Sequence, residues 1–210
     1  TIEAGFPKNL LVEHGSNRAE VYLKGSVVED LNLILRNGDI IEELRDEVQK
    51  YGYDLTIIGG SGKRSMAHDF IQYVDSSIFI VNNFDLKKDY RILLAVDDSP
   101  GTAKAVKYGV RVSQAFGIQV DLLTISKDEH FGEGYKGASG RAEKLMRRSG
   151  VETNTLFKVG DPVNSIVQTA GDNHIIIMGA STQSPITKFF KGSKPLNVIK
   201  ACNCPVLIVK

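Results

Sequence analysis

The chain of 210 residues has no tryptophan, two cysteines and three methionines, and it holds no long apolar run. Each shortage excludes something. Cys202 and Cys204 are too few for a disulfide framework. At C-x-C spacing a metal site needs more ligands nearby, and no histidine is close in sequence; Cys204 reads as a small core residue entering a strand. No apolar stretch approaches the roughly 20 residues of a membrane helix, so no membrane span is expected. Thr1-Ile-Glu-Ala-Gly-Phe-Pro7 lacks the basic start and apolar stretch of a signal peptide, which makes a cytoplasmic location the expectation. The formal charge of +1 gives no footprint for a nucleic-acid partner. Catalytic signatures are missing as well. There is no G-x-x-x-x-G-K-[ST] loop and no G-x-S-x-G elbow. His14, His68, His130 and His174 stand isolated, and His174, opening an apolar strand, reads as a strand-edge residue.

What is present is concentrated near the end. Ile175-Ile176-Ile177-Met178-Gly179 is an apolar run ending in glycine, and a loop leads to Gly192-Ser193. A helix-like segment and Pro205-Val-Leu-Ile-Val209 follow. Glycine at a strand end lets backbone approach a ligand closely, and N–H groups at a following helix start suit an anion such as phosphate. The pattern points to a nucleotide pocket.

The chain also repeats itself. Leu31 to Asp39 resembles Thr153 to Asp161: each is a short alternating strand ending in Gly-Asp. Each leads through a helical pattern to Tyr53-Asp-Leu-Thr-Ile-Ile-Gly59 or His174-Ile-Ile-Ile-Met-Gly179. Each half ends in a last strand, Ser77–Val81 or Pro205–Val209.

The second half reads as five strands alternating with four helices, hence a parallel sheet with right-handed crossovers and helices on both faces. Arg91–Val96 is its first strand, apolar throughout as when both faces are covered. Ser99 is predicted as an N-cap with Pro100 at the first helical position. Ala105, Gly109, Val112 and Phe116 then form one helical face. Val120–Ile125 is the second strand. Ser139 to Arg148 reads as the second helix, after a mobile glycine-rich loop from Gly132 to Gly140. Asp161-Pro162 repeats the cap-plus-proline signal, with Val163, Ile166, Val167 and Ala170 as the buried stripe.

The first half holds only the later part of such a unit. Asp39 and Glu42 look like a capping-box variant, and Ile41, Leu44, Val48 and Tyr51 form a helical stripe. Residues 1–30 are too few for a first strand, first helix and second strand. Asn82 to Tyr90 reads as the linker.

The order of Ala95-Val96-Asp97-Asp98-Ser99, Gly160-Asp161-Pro162, Met178-Gly179, Gly192-Ser193 and Cys204-Pro205-Val-Leu-Ile-Val209 resembles the universal stress protein family. The resemblance is full over about residues 90–210 and partial over about 31–83. It implies an α/β fold: a doubly wound, five-stranded parallel sheet ordered 3-2-1-4-5. It divides the chain into a partial unit, 1–86, and a complete one, 87–210. In ATP-binding members the nucleotide lies at the ends of strands one and four, the topological switch point.

That family's nucleotide motif is Gly, two residues, Gly, nine residues, then Gly with Ser or Thr. Gly179, Gly192 and Ser193 match, while Thr182 replaces the middle glycine. A β-branched residue resists φ > 0, so either the phosphate nest is altered or the Thr182 hydroxyl stands in for a backbone contact. Lys194-Pro195 follows; the proline removes an N–H and Lys194 brings a charge suited to phosphate. Lys188 and Lys191 read either as a solvated face or as phosphate contacts. Carried over by resemblance, Asp97 meets the ribose or adenine edge. Ala95 and Val96 backbone, with Ile125 and Met178, line the base. Gly179, Gly192 and Ser193 hold phosphates, with Thr182 and Lys194 beside them. Asp97 reads equally as a turn residue before Ser99, and Met178 as core packing. Asp97 or Asp98 is a candidate Mg²⁺ ligand, although carboxylates at strand ends are common. Gly59-Gly60-Ser61-Gly62 opens a similar motif, but Lys63-Arg64-Ser65 leads almost directly into a helix from Met66 to Tyr73. That loop is too short, so the first half is not expected to bind nucleotide.

Three functional readings follow. The first is a regulatory, non-enzymatic stress protein binding ATP or AMP in its second half, with slow ATP hydrolysis left open. The second is a nucleotide-free interaction or dimerisation module. The third is the cytosolic regulatory part of a larger, transporter-like protein. In each, the last strands of the two halves are expected to pair antiparallel, giving a homodimer or an intrachain pseudo-dimer, because exposed apolar edges invite pairing.

Overall fold

The computed structural model describes residues 37–59, 67–82, 84–85, 87–129, 131–180 and 194–210. Two compact units divide after Tyr51. In the first, helix α1 (Ile40–Tyr51) is capped by Asp39, whose Oδ1 accepts from Ile41 N at 2.9 Å and Glu42 N at 3.1 Å. Val48 is its buried residue, while Tyr51, expected on the same stripe, is exposed.

The second unit holds β1 (Leu55–Gly59), α2 (Ala67–Tyr73), β2 (Ser77–Val81), β3 (Arg91–Val96), α3 (Pro100–Phe116) and β4 (Val120–Ser126). It continues with α4 (Glu133–Arg148), β5 (Thr153–Val159), α5 (Pro162–Ala170), β6 (His174–Gly179), α6 (Lys194–Ala201) and β7 (Val206–Val209). All seven strands join one sheet in the order β1-β2-β7-β6-β3-β4-β5. The expected five-stranded sheet is thus extended to seven, because β2 pairs antiparallel with β7. Every other pairing is parallel. Since β7 lies between β6 and β2, and β2 between β7 and β1, neither last strand keeps a free edge. Of the two arrangements expected for these strands, the intrachain one is present.

The register of that joint is symmetric. Phe79 faces Leu207, flanked by Ile78 opposite Ile208 and Ile80 opposite Val206. The flanking strands match too: Gly59 pairs with Val81 as Gly179 pairs with Val209. Val81 follows Gly59 by 22 positions and Val209 follows Gly179 by 30, so the first connection is shorter by 8 residues. Because β2 and β7 run antiparallel, Gly59 and Gly179 end on opposite edges of the sheet. The division into 1–86 and 87–210 follows the repeat, whereas the compact units follow packing.

The sheet is covered on both faces. Helices α3 and α4 pack together on one, and α5, α6 and α2 on the other. Alternate residues supply each layer. Ile92, Leu94, Val96, Val120, Leu122, Ile177 and Leu207 meet Ala105, Val106, Ala138, Ala142 and Met146 in one core cluster. Two helix expectations change. The buried stripe of α3 is Gly101, Thr102, Ala105, Val106, Gly109 and Ser113, while Phe116, past the sheet, is exposed. Helix α4 starts at Glu133, so the stretch read as a mobile loop is mostly helix. Glycine costs up to about 1 kcal/mol in a helix, but Ala138, Ser139, Ala142 and Met146 bury against the sheet and override that local preference.

Candidate functional site

Strand β3 pairs with β4 on one side and β6 on the other, so the chain reverses its direction of travel across the sheet at β3. Open α/β sheets bind ligands outside the carboxyl ends of strands at such a point. Ala95 and Val96 end β3, Ile125 lies near the end of β4, and Met178 and Gly179 end β6. The fold therefore collects these predicted residues at one edge. Val96 and Met178 are buried, which gives both a core-packing role. Thr182, Gly192 and Ser193 lie outside the described residues, as do Lys188 and Lys191.

Asp97, just past β3, is the organised side chain of this edge. Its Oδ1 accepts from Ser99 N at 3.0 Å, Ser99 Oγ at 2.5 Å and Thr102 Oγ1 at 2.6 Å. Thr102 Oγ1 in turn accepts from Asp97 N at 3.2 Å. Oδ2 accepts none of these bonds, so one carboxylate oxygen is saturated by the protein and the other is not used in this turn. Burial pushes the carboxyl up. The Ser99 and Thr102 hydroxyls, the Ser99 N–H and the nearby Lys194 charge outweigh burial and hold it below the ordinary carboxylate value. Asp97 is thus kept ionised, and exposed Lys194, at the start of α6, belongs to the same locality.

Ser99 occupies the N-cap position before Pro100, as expected, but its side chain makes no capping bond. Its hydroxyl is turned back to the stronger acceptor, the Asp97 carboxylate. Asp161 does cap α5, accepting from Asn164 N at 2.9 Å. Asp98 meets Arg141 at 3.4 Å in an exposed pair. Among the described residues no three His, Cys, Asp or Glu side chains cluster as a metal site.

Gly179 has a second role that its sequence context did not show. A Cβ on it would lie 2.5 Å from Gly101 C and 2.6 Å from Gly101 O, and a Cβ on Gly101 would lie 2.7 Å from Ala180 O. The first turn of α3 therefore rests backbone-on-backbone against the end of β6. Gly101 and Thr102 were missed by sequence reasoning. The available signal was a glycine and a threonine in a helical first turn, two and three residues after Ser99, which read only as capping context. A groove of about 180 Å³ also opens between α3 and α4. Of the predicted site residues only Asp97 lines it; its floor is apolar, with Lys107 and Arg141 at the rim.

A further cluster lies at the opposite edge of the sheet. Buried Asp121, on β4, accepts from Arg91 Nε at 2.8 Å, Arg91 Nη2 at 2.6 Å and His174 Nε2 at 3.0 Å. His174 Nδ1 donates to Ala170 O at 2.7 Å. The Arg91 hydrogen bonds, against burial and with help from His174, hold the Asp121 carboxyl below its ordinary value. His174 is therefore not an isolated strand-edge residue: pairing of β3, β4 and β6 brings three residues together that are far apart in sequence.

Thr102→Val tests the Asp97 turn. The isosteric change removes the hydroxyl's bond to Asp97 Oδ1 and its bond from Asp97 N, so the Asp97 carboxyl is expected to rise toward its ordinary value at a stability cost of about 1–2 kcal/mol. A ¹³C NMR titration of the Asp97 carboxyl carbon reads the first effect. An unmoved titration means that Thr102 does not hold the charge.

A doubly wound α/β sheet with its switch point at β3 defines the class of open α/β folds. The family model described as "Universal stress protein family" matches residues 90–210, and the chain belongs to that family. Universal stress protein MJ0531 of Methanocaldococcus jannaschii is 26% identical over 156 residues, 66% of this chain and 90% of that protein. Universal stress protein Slr1230 of Synechocystis is 24% identical over 195 residues, 88% of this chain and 67% of its own length. A crystal structure of a universal stress protein from Archaeoglobus fulgidus covers 99% of this chain and 81% of its own, with a TM-score of 0.63 at 18% identity. That likeness extends through the first half at the level of fold. No helix among the described residues is long and apolar enough to cross a membrane.

Proposed function

We propose that residues 87–210 form a regulatory universal stress domain that binds an adenine nucleotide, ATP or AMP, at the carboxyl ends of β3, β4 and β6. Residues 1–86 are a partial second copy, joined to the first as an intrachain pseudo-dimer through β2 and β7. The observation that carries the nucleotide reading is Asp97. Its carboxyl is held below the ordinary value, among the described residues it is pinned through Oδ1 alone, and it stands at the switch point with Lys194 nearby. Its other oxygen suits a donor such as a ribose hydroxyl or an exocyclic amine, and Lys194 suits a phosphate. The backbone of Ala95, Val96 and Gly179, with Ile125 and Met178, supplies the surface for the base. Thr182, Gly192 and Ser193 complete the phosphate side of the reading. The symmetric β2–β7 register and the matched pairings of Gly59 and Gly179 support a duplicated unit. No catalytic step is assigned, and Mg²⁺ enters only as a companion of bound ATP near Asp97 or Asp98.

One observation favours a nucleotide-free interaction module instead. Gly179 is required by its contact with Gly101, so this part of the motif needs no ligand to explain it. Calorimetric titration with ATP, ADP and AMP separates the two. Binding is expected for at least one of them, and Asp97→Ala is expected to weaken it by about tenfold, equivalent to about 1.4 kcal/mol. Gly192→Val is expected to abolish it by filling the phosphate space. Absence of heat at millimolar nucleotide supports the interaction module.

A further inference from the structure

Charge is distributed unevenly over this molecule. Helix α3 carries Lys104, Lys107 and Arg111 and no acidic residue. Helix α4 carries Lys136, Arg141, Lys144, Arg147 and Arg148 against Glu133 and Glu143. Together the two helices hold eight basic and two acidic residues, a net +6 in a chain whose formal charge is +1. The remainder of the chain is therefore at −5.

The arrangement is more specific than the total. Lys104, Lys107 and Arg111 stand at i, i+3 and i+7, and so do Arg141, Lys144 and Arg148. Each set is a single stripe along its helix. All six residues are exposed. Among the described residues, only Arg141 of the six is in a salt bridge, with exposed Asp98 at 3.4 Å, a pair of little worth in water. The helices pack side by side on one face of the sheet, and the groove between the stripes is lined by exposed Ala103 and Leu145 and by buried Val106, Ala138 and Ala142, with Asp97, Ser99 and Thr102 also along it.

We propose that this α3–α4 face docks on the anionic surface of a lipid bilayer. Two rows of cations, of which only Arg141 is salt-bridged among the described residues, repel one another and are favoured by a surface of opposite charge; each Lys or Arg near anionic headgroups contributes attraction that falls off within a Debye length. Between the rows, exposed Ala103 and Leu145 offer lipid methylenes a small apolar contact, and the attraction is carried by the charges. The same geometry disfavours nucleic acid. Reading duplex DNA needs a helix or ribbon that enters the groove, and here each helix is flanked by the other and backed by the sheet. Single strands need aromatic platforms among the cations, and among the described residues none lines the groove.

The test is flotation with vesicles of phosphatidylcholine alone and of phosphatidylcholine with phosphatidylglycerol, alongside a duplex DNA retardation assay. The expected result is binding to the anionic vesicles only, weakening as salt is raised. A triple variant, Lys104→Glu, Arg111→Glu and Lys144→Glu, is expected to lower vesicle affinity by about a hundredfold or more. A second variant, Lys87→Glu, Lys88→Glu and Lys200→Glu, makes the same net charge change at exposed positions outside α3 and α4 and is expected to retain most of the binding. All six positions are exposed, and far-UV circular dichroism checks that both variants fold. The proposal is overturned by no binding to anionic vesicles, by equal losses in the two variants, or by DNA binding without vesicle binding.

Discussion

Gly179→Ala is expected to lower the free energy of unfolding by about 3 kcal/mol or more, the upper end of overpacking costs. The new Cβ would lie 2.5 Å from Gly101 C, 2.6 Å from its O and 2.9 Å from its Cα. Backbone cannot rotate away as a side-chain tip can, so α3 must lift from β6 or the strand end must bend. The control is Gly59→Ala. Gly59 holds the matching register position on β1, yet among the described residues nothing lies within 4 Å of a Cβ there. Its φ is not in the left-handed region. Alanine in a strand is favoured over glycine by about 0.5–1 kcal/mol, so Gly59→Ala is expected to be neutral or slightly stabilising. Urea unfolding of both variants decides the matter. If Gly179→Ala unfolds at the wild-type midpoint, the close contact between α3 and β6 is wrong.

Asp121→Asn is expected to cost about 1.5 kcal/mol, less than breaking a fully buried ion pair because the Arg91 side chain is 34% exposed to screening water. Asparagine keeps the shape but removes the charge that answers Arg91 and His174, and its amide presents hydrogens to two donors. The pH dependence has a definite sign. Arg91, against burial and aided by His174, holds the folded Asp121 carboxyl below its ordinary value. Its contribution is therefore fully present above the unfolded value of about 3.9 and is lost as pH falls through the lower folded value. Wild-type stability should decline below about pH 4, and Asp121→Asn should flatten that part of the profile. A variant with wild-type stability at neutral pH and an unchanged acid limb would show that the cluster contributes nothing.

Most strands were legible because they are apolar runs punctuated by glycine and proline. Arg91–Val96 and Ser77–Val81 coincide with β3 and β2. The Asp161 cap was equally legible, since capping is satisfied within four residues of chain. Helix α4 was misread in its first turns because Gly134, Gly137 and Gly140 oppose helix locally, and only burial of Ala138, Ser139 and Ala142 against the sheet makes helix the better choice.

The site divides in the same way. Asp97 was recognised by its place after an apolar strand, but the convergence of Ser99 and Thr102 on one oxygen depends on the turn that precedes α3. Gly179 was recognised as a glycine that something approaches, and the sequence offered phosphate as the reason. The structure adds Gly101, from a helix that precedes it by more than two strands. The pairing of Asp121 with Arg91 and His174 carried no local signal, since the three side chains come from different strands.

The sequence by itself determined the alternation of strands and helices and the expectation of a nucleotide edge. Both are written in periodicity and spacing along the chain. Tertiary structure alone decided that β1 and β2 share one sheet with β3 to β7, that Gly59 and Gly179 end on opposite edges, and that two basic helices lie side by side. Each of those depends on which elements become neighbours. Neighbours are selected by burying apolar faces and pairing exposed strand edges between residues far apart in sequence, and a local pattern holds no record of its partner.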